Sequence, residues 1–186
     1  MSKYLPAWFL GVWPDRRVML AAYEATFARS WGRKARQIFA ETAVPVFGRG
    51  LAVDNAAADD WSTSAGGGMT TAGVGGPMTG RGAHLLIIDD PVKNAEEALS
   101  ARIRENQWDW WQSTASTRLE PGGVVIGIMT RWHEDDIFGR LRKGGGQIRR
   151  LTLPALAEHG DPLGRQPGEA LWPERSEEHT SELQSH

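Results

Sequence analysis

The sequence predicts an α/β protein in which a mostly parallel sheet is flanked by helices. Two short, unbroken apolar runs, LLII at residues 85–88 and VVIGIM at residues 124–129, are typical of strands buried on both faces, as in a parallel sheet. Patterns of helical period occupy residues 23–41 and 94–117, before and between those runs. Strands and helices that alternate along the chain indicate the α/β class.

The composition narrows the class of protein further. The chain has 186 residues, enough for one domain with a sizeable core, and its 21 Lys and Arg nearly balance its 23 Asp and Glu. It contains no cysteine, which excludes disulfide frameworks, thiolate metal sites and cysteine nucleophiles. No run reaches the roughly 18 apolar residues that cross a bilayer, so we expect no membrane contact.

The first elements are a helix, a strand and a longer helix. A helix is predicted at residues 3–11 and a strand at 17–22, followed by the helix at 23–41. The apolar face of the long helix is expected at Phe27, Trp31, Ala35 and Ile38. A basic face is formed by Arg29, Arg33 and Arg36. The basic face is either a solvated helix surface or a contact for the phosphates of DNA or a nucleotide.

Glycine-rich segments follow. Residues 44–60 are predicted to be a loop with room for one short strand, and residues 61–65 and 69–72 to be two short strands around three glycines. The segment at 73–82 is rich in glycine, but no G-x-x-x-x-G-K-[ST] phosphate loop occurs anywhere in the chain. Arg81 lies on this segment, where it is either part of a structural loop or directed towards a phosphate.

Two carboxylates follow the first buried run. Asp89 and Asp90 come directly after residues 85–88, and Pro91 then ends the strand because it cannot donate to a sheet. Open α/β sheets bind ligands at the carboxyl ends of their strands. The arrangement is that of a Walker B segment, in which the first Asp holds Mg²⁺ and the second acid positions water against a nucleoside triphosphate. The alternative is that both acids only cap the next helix.

The helix predicted at 94–117 begins with a capping box formed by Asn94 and Glu97. It carries Leu99, Ile103, Trp110 and Trp111, and the two tryptophans are expected to be core residues, with a base-stacking platform as the alternative. Thr130 follows the second apolar run, at the type of position where nucleotide hydrolases keep a γ-phosphate sensor. A short helix opened by the acids at 134–136 and a strand at 147–153 complete the domain.

The end of the chain differs in composition from the rest. We expect residues 1–153 to form one partial domain and residues 154–174, which are rich in proline and glycine, to be a linker towards a further domain. Residues 175–186, RSEEHTSELQSH, match the in-frame translation of a common sequencing adaptor and are expected not to be native. The chain is therefore expected to be a piece of a longer protein.

Four stretches resemble one protein family. They are AAYEATFARSWGRKAR at 21–36, TGRGAHLLIIDDPVKNAEEALS at 79–100, STASTRLEPGGVVIGIMTRWHEDDIFGRL at 113–141 and ALWPER at 170–175, which includes the first residue of the expected adaptor. In this order they resemble the large terminase subunit of tailed bacteriophages, the ATPase motor that translocates viral DNA into the procapsid. The resemblance implies a P-loop NTPase-like (ASCE) core, incomplete at its N-terminus, and a nuclease domain that follows it.

The resemblance also implies roles for single residues. Asp89 is similar to the Walker B ligand of Mg²⁺, and Asp90 occupies the position of the catalytic acid, which is usually a longer Glu. Thr130 looks like the coupling residue that senses hydrolysis. Arg81 is similar in placement to an arginine that acts in trans on the transferring phosphoryl group.

Cofactors, partners and location are likewise implied by the family. The cofactors would be ATP and Mg²⁺. The partners would be double-stranded viral DNA, the portal protein, the small terminase subunit and further copies in a homo-oligomeric ring. The location would be the host cytoplasm, with transient docking at the portal vertex of the procapsid. Without a phosphate loop and a nuclease domain, this chain alone is expected neither to hydrolyse ATP nor to cut DNA.

Three other functions compete with this interpretation. A metal-dependent nuclease would gather Asp89, Asp90, Asp135 and Asp136 around two ions. A non-catalytic DNA-binding or assembly module would use the basic face of the long helix. A generic helicase-like ATPase is the nearest enzymatic alternative, but the specific stretches above favour the terminase.

Overall fold

The computed structural model describes residues 1–57, 60–78, 82–145 and 148–173, and it divides the chain into two compact units, Met1–Gly145 and Gly146–His186. The strands of the first unit are β1 (Arg17–Ala22), β2 (Leu51–Ala56), β3 (Asp60–Thr63), β4 (Gly68–Gly73), β5 (Ala83–Asp89) and β6 (Leu119–Ile128). Its helices are α1 (Tyr4–Val12), α2 (Ala25–Phe47), α3 (Ala95–Leu99), α4 (Ala101–Trp110) and α5 (Ile137–Lys143). A π-helical turn (Trp111–Ala115) and a 3-10 turn (Ser116–Arg118) join α4 to β6.

The six strands form one sheet in the order β2-β3-β4-β1-β5-β6. Strands β4, β1, β5 and β6 are parallel to one another, whereas β2, β3 and β4 form an antiparallel meander. The α/β class and the mostly parallel sheet are therefore confirmed. The two short strands predicted around the glycines are β3 and β4, and β1 has the predicted bounds.

Side chains of the central strands alternate between two apolar cores, one on each face of the sheet. Leu20 of β1 and Ile87 of β5 face α1 and α2, where Phe39 and Trp61 complete the first core. The second core lies under α4 and α5. Its buried members include Met19, Leu86, Ile88, Trp110, Trp111 and Ile137. Because helices cover both faces of the sheet, β1 and β5 have no solvent-exposed face. Their sequences therefore do not alternate between apolar and polar residues.

Helix α2 differs from the prediction in its length and in the face that it buries. Its fully buried residues are Ala28, Gly32, Ala35, Phe39 and Ala43. The larger Phe27, Trp31 and Ile38 are only partly buried at the side of that stripe. Small residues and one large residue, Phe39, face the sheet, while the other large residues lie at the flanks of this buried face. The helix also continues to Phe47 and ends at Gly48 in a left-handed conformation, so the loop predicted from residue 44 is wrong in its first part.

The single helix predicted at 94–117 is instead broken after Leu99. The Ser100 side chain accepts a hydrogen bond from the Ile103 N–H and so caps a new helix, α4, while Asn94 caps α3 through the Glu97 N–H as predicted. The break leaves the Leu99 side chain 69% exposed. The predicted burial of the two tryptophans at 110 and 111 is confirmed.

Strand β6 lies at the end of the sheet, and this position changes its burial. It pairs with β5 on one side only, within the part of the chain that the structure describes, and Val124 is 55% exposed. The prediction of a strand buried on both faces was therefore wrong for this run. Residues 148–153 form no strand, in contrast to the strand predicted at 147–153. None of the helices in the described ranges has the length and apolar character that a membrane crossing requires.

The second unit is described at residues 148–173, which include the predicted linker at 154–174. Its organising side chain is Arg165, whose guanidinium forks onto Asp161, with Nη2 2.6 Å from Oδ2 and Nε 3.2 Å from Oδ1. The same guanidinium donates to the carbonyls of Pro154 and Glu169. One antiparallel bridge joins Leu156 to Ala170. The segment thus has an internal hydrogen-bonded framework, and the residues from 174 onwards, including the expected adaptor, lie outside the described ranges.

Candidate functional site at the carboxyl edge of the sheet

The strand ends of the first unit meet in one row. Ala22 of β1 is in register with Gly73 of β4 and with Asp89 of β5, which is in turn in register with Ile128 of β6. Since these four strands are parallel, the loops that follow them leave the sheet at the same edge. This is the edge at which open α/β sheets bind ligands. Asp89 therefore lies where the sequence placed it, between two parallel neighbours.

Asp89 is a buried carboxyl group. It is 6% exposed, and Ser2, which precedes α1 and is also buried, lies close enough to act on it as a donor. Burial raises the pKa of the Asp89 carboxyl above its ordinary value, the Ser2 hydroxyl lowers it, the charge of Asp90 raises it again, and the positive charge of the Met1 amino terminus lowers it. The carboxylate is thus held in an environment where a cation would be a favourable neighbour.

Asp90 is an exposed acid held in an unusual backbone conformation. Its φ of 44° makes it the one non-glycine residue with positive φ among the described residues. Its N–H donates to the carbonyl of Ile128 at 2.9 Å, and its own carbonyl accepts from the N–H of Tyr23 at 3.0 Å. These two bonds tie the turn after β5 to the ends of β6 and β1. Residues kept in such sparsely populated regions cluster at functional sites.

The structure says less about the other two predicted catalytic residues, Thr130 and Arg81. Thr130 is exposed and lies two residues beyond Ile128, the residue of β6 in register with Asp89. It therefore leaves the sheet at the same edge as the acidic pair. Arg81 lies outside the described residues. The nearer part of its glycine-rich segment is anchored by the Trp110 ring N–H, which donates to the carbonyl of Gly76 at 3.0 Å.

The basic face of α2 is present as predicted. Arg29 and Arg33 are exposed, and Arg36 is half-buried. The Nε of Arg36 is buried and has no hydrogen-bond partner within the described ranges. Because α2 begins three residues after Ala22, this face starts close to the same edge of the sheet and runs away from it.

The acids after Thr130 make structural contacts with α5. The buried Asp136 caps that helix by accepting from the Gly139 N–H at 2.8 Å, and it also forms an ion pair with Arg131. Asp135 receives both Nε and Nη2 of Arg140, at 3.2 and 2.9 Å, and this pairing lowers the pKa of its carboxyl. In the part of the chain that the structure describes, no group of three or more His, Asp or Glu side chains is arranged to hold a metal ion. The convergence of Asp89, Asp90, Asp135 and Asp136 that the alternative of a metal-dependent nuclease required is therefore not found among the described residues.

Two site residues were missed by sequence reasoning. Ser2 reaches Asp89 from a distant part of the chain, and Gln107 of α4 donates from Nε2 to the carbonyl of Pro91 at 2.9 Å. Both contacts join segments far apart in sequence. No local pattern distinguishes these two side chains from other polar residues near a helix.

The fold and this edge define a class: an α/β domain whose mostly parallel sheet presents an acidic pair at the carboxyl end of an inner strand. The family model described as the N-terminal part of the T4likevirus-type terminase large subunit matches residues 6–181. The chain therefore belongs to this terminase family, which implies a role in phage DNA packaging. Comparison with curated proteins found no match. The family match confirms the resemblance drawn from the sequence, and its range extends into the tail that begins at residue 175.

Proposed function

We propose that this domain is part of the ATPase motor of a phage terminase, with Asp89 as its ligand for Mg²⁺. The observation that supports this most is the buried Asp89 carboxylate with the Ser2 hydroxyl against it, at the carboxyl edge of the sheet. Carboxylate and hydroxyl oxygens are the ligands that Mg²⁺ prefers, so the residues present fit the ion. When bound together with a nucleotide, Mg²⁺ would neutralise charge on the β- and γ-phosphates.

The proposed roles of the neighbouring residues follow from their positions. Asp90, exposed beside Asp89, would orient and deprotonate the water that attacks the γ-phosphate. Thr130 would sense the state of the nucleotide from the end of β6, and Arg81 would act on the phosphates of a neighbouring copy. ATP, viral DNA, the portal protein, the small subunit, the ring and the host cytoplasm remain predictions from the family. No phosphate loop occurs in the sequence, so we expect no ATP turnover by this polypeptide alone.

The metal site can be tested without turnover. We expect Mn²⁺, added as a paramagnetic substitute for Mg²⁺, to broaden the NMR signals of Ser2, Asp89 and Asp90 selectively. Asp89→Asn should abolish that broadening. Because burial raises the pKa of Asp89, the ionised carboxylate destabilises the fold at neutral pH, and Asp89→Asn should unfold at a higher urea concentration than the wild type.

A matched control is Asp109→Asn, which removes an exposed carboxylate from α4 and should leave the broadening unchanged. Broadening that persists in Asp89→Asn, or that is equally strong at exposed acids all over the chain, would refute the assignment of Asp89. Since Asp89→Asn is expected to be the more stable protein, loss of binding could not be attributed to unfolding.

A second proposed function is DNA contact through the basic face of α2. The exposure of Arg29 and Arg33 on neighbouring turns of one helix favours it. Fluorescence anisotropy with a double-stranded DNA duplex should show binding that weakens with salt, and Arg29→Gln together with Arg33→Gln should reduce the salt slope by about two.

The control for this surface is Arg49→Gln, which removes an exposed charge beyond the end of α2. Asp89→Asn should bind the duplex as the wild type does. An unchanged salt slope in the double variant would exclude this face as the DNA contact. DNA binding that survives in Asp89→Asn would assign this surface to a non-catalytic DNA-binding role, which is compatible with the chain being part of a motor.

A further inference from the structure

We propose that Gln107 is a positioning residue that holds Asp90 in its left-handed conformation by clamping the next carbonyl group. What Asp90 does in catalysis rests on the proposed function, whereas the clamp itself rests on the hydrogen bonds and burial of the turn after β5. Gln107 lies on α4, a helix that supplies neither the proposed metal ligand nor the proposed catalytic acid of the site.

The turn after β5 needs support because Asp90 adopts a conformation that costs energy for a residue with a Cβ. Its φ is 44°, and such conformations persist only where the surroundings determine them. Two backbone hydrogen bonds contribute, from the Asp90 N–H to Ile128 and from the Tyr23 N–H to Asp90. Both lie at the start of the turn. The following peptide group, which carries the carbonyl of Pro91, is held by a side chain.

That side chain is Gln107, which is 6% exposed. Its Nε2 donates to the Pro91 carbonyl at 2.9 Å. Because a carbonyl only accepts hydrogen bonds, the amide must point its NH₂ towards Pro91, which fixes its orientation. Its Oε1 is then buried without a hydrogen-bond partner in the described part of the chain, which is costly. An apolar side chain of similar length would avoid that cost, so the contribution of this amide lies in its bond to Pro91.

The helix that carries Gln107 is itself fixed on either side of it. Three residues further on, Trp110 donates to the carbonyl of Gly76 in the loop after β4. Two residues before, Glu105 receives Nη1 of Arg140 from α5 at 2.8 Å. Helix α4 thus contacts the segments that follow β4, β5 and β6. A side chain whose backbone is anchored to its neighbours in this way can hold another group in place.

The test compares amide hydrogen exchange in the wild-type chain and in Gln107→Met, which keeps the length of the side chain and removes its donor. The reporters are the N–H groups of Tyr23 and Asp90, expressed as protection factors. Loss of one buried hydrogen bond should make them exchange about five- to tenfold faster. The amides of Leu20 and Ile87, in the middle of β1 and β5, should be unaffected.

A second variant, Gln107→Glu, allows the clamp to be turned on and off in one protein. The introduced carboxyl group can donate to Pro91 only while it is protonated. Protection at Tyr23 and Asp90 should therefore match that of the wild type at low pH and fall once this group ionises. The matched control is Gln112→Met, the same chemical change at an exposed position, which should leave both reporters unchanged.

Three results would overturn the proposal. They are unchanged protection in Gln107→Met, protection in Gln107→Glu that does not depend on pH, and an equal loss at Leu20 and Ile87, which would make Gln107 an ordinary core residue. No metal, nucleotide or DNA is present in these measurements. Failure of the clamp would therefore leave the Mn²⁺ result standing, and absence of Mn²⁺ binding would leave the clamp standing.

Discussion

The ring of Phe47, the last residue of α2, occupies the space beside Gly11 of α1 where any other residue would place its Cβ. A Cβ built on Gly11 would overlap the ring atoms. The two helices cover the same face of the sheet, so this contact sets how closely they approach. Glycine is required at residue 11 because of the Phe47 ring on α2. The backbone of α1 has normal helical geometry there and would accept other residues.

We therefore expect Gly11→Ala to destabilise the first unit. Overpacking of this kind costs about 1–3 kcal/mol, whereas replacing glycine by alanine inside a helix gains about 0.5–1 kcal/mol. The net loss should be up to about 2.5 kcal/mol, because the clash outweighs the gain in helix propensity. Urea unfolding followed by tryptophan fluorescence would measure it.

The same substitution should reverse its sign once the ring is removed. In a Phe47→Ala background, Gly11→Ala is expected to stabilise the chain, because only the helix propensity remains. Gly50→Ala serves as the control, since nothing lies within 4 Å of a Cβ there and its backbone is not left-handed. Equal effects of Gly11→Ala in both backgrounds would contradict the packing explanation.

The cap of α5 is expected to contribute through two separable interactions. Asp136→Ala removes the acceptor of the Gly139 N–H and the partner of Arg131, and should lower the free energy of unfolding by about 2–3 kcal/mol. Asp136→Asn keeps the cap but loses the charge, so about half of that loss is expected. Thermal and urea unfolding of both variants would measure the difference.

Glu134→Ala is the control for this prediction, because Glu134 is an exposed acid in the same segment. It should change the free energy of unfolding by less than about 0.5 kcal/mol. If Asp136→Asn and Asp136→Ala destabilised the chain equally, the charge would account for the whole effect and the capping role would be excluded.

His84 predicts a dependence of stability on pH. Its Nδ1 accepts the N–H of Arg17 at 3.2 Å, which requires the ring to be unprotonated at that nitrogen. Burial lowers the pKa of His84, and the charge of Arg16 lowers it further. The unfolded chain therefore binds a proton more readily, and the free energy of unfolding should fall as the pH drops below the ordinary value of 6.5.

Two substitutions distinguish the effect of protonating His84 from the effect of losing its hydrogen bond with the Arg17 N–H. His84→Asn keeps an acceptor at the position of Nδ1 and should remove this fall without a large loss of stability at neutral pH. His84→Ala should also remove the fall in the free energy of unfolding at low pH, but its free energy of unfolding should already be lower at neutral pH. Because the raised pKa of Asp89 changes stability in the opposite direction in both proteins, the decisive comparison is between them: the same pH dependence in the wild type and in His84→Asn would rule out His84 as the origin of the fall.

The sequence predicted the parts of this fold that depend on local patterns. Strand β1 and the hairpin of β3 and β4 follow from short apolar or glycine-bounded runs, and Asn94 caps α3 at the predicted spacing. The acidic pair was placed correctly at the carboxyl end of the strand, which stops at Asp89, two residues before Pro91. The buried face of α2 was displaced by one residue from the prediction. Its small residues pack against a surface that the helix sequence does not contain.

The amino-acid sequence was sufficient for the α/β class, for the central strand that carries Asp89 and Asp90, and for the resemblance to the terminase family that the family match confirms. The proximity of Ser2 to Asp89, the left-handed Asp90 and the hydrogen bond from Gln107 to Pro91 are visible in the folded chain alone. The structure also shows that Asp135 and Asp136 contact Arg140 and the start of α5 and do not gather with Asp89 and Asp90. The physical reason is range: hydrophobic period and capping act within a few residues, whereas these contacts join segments whose proximity exists only after the sheet has formed.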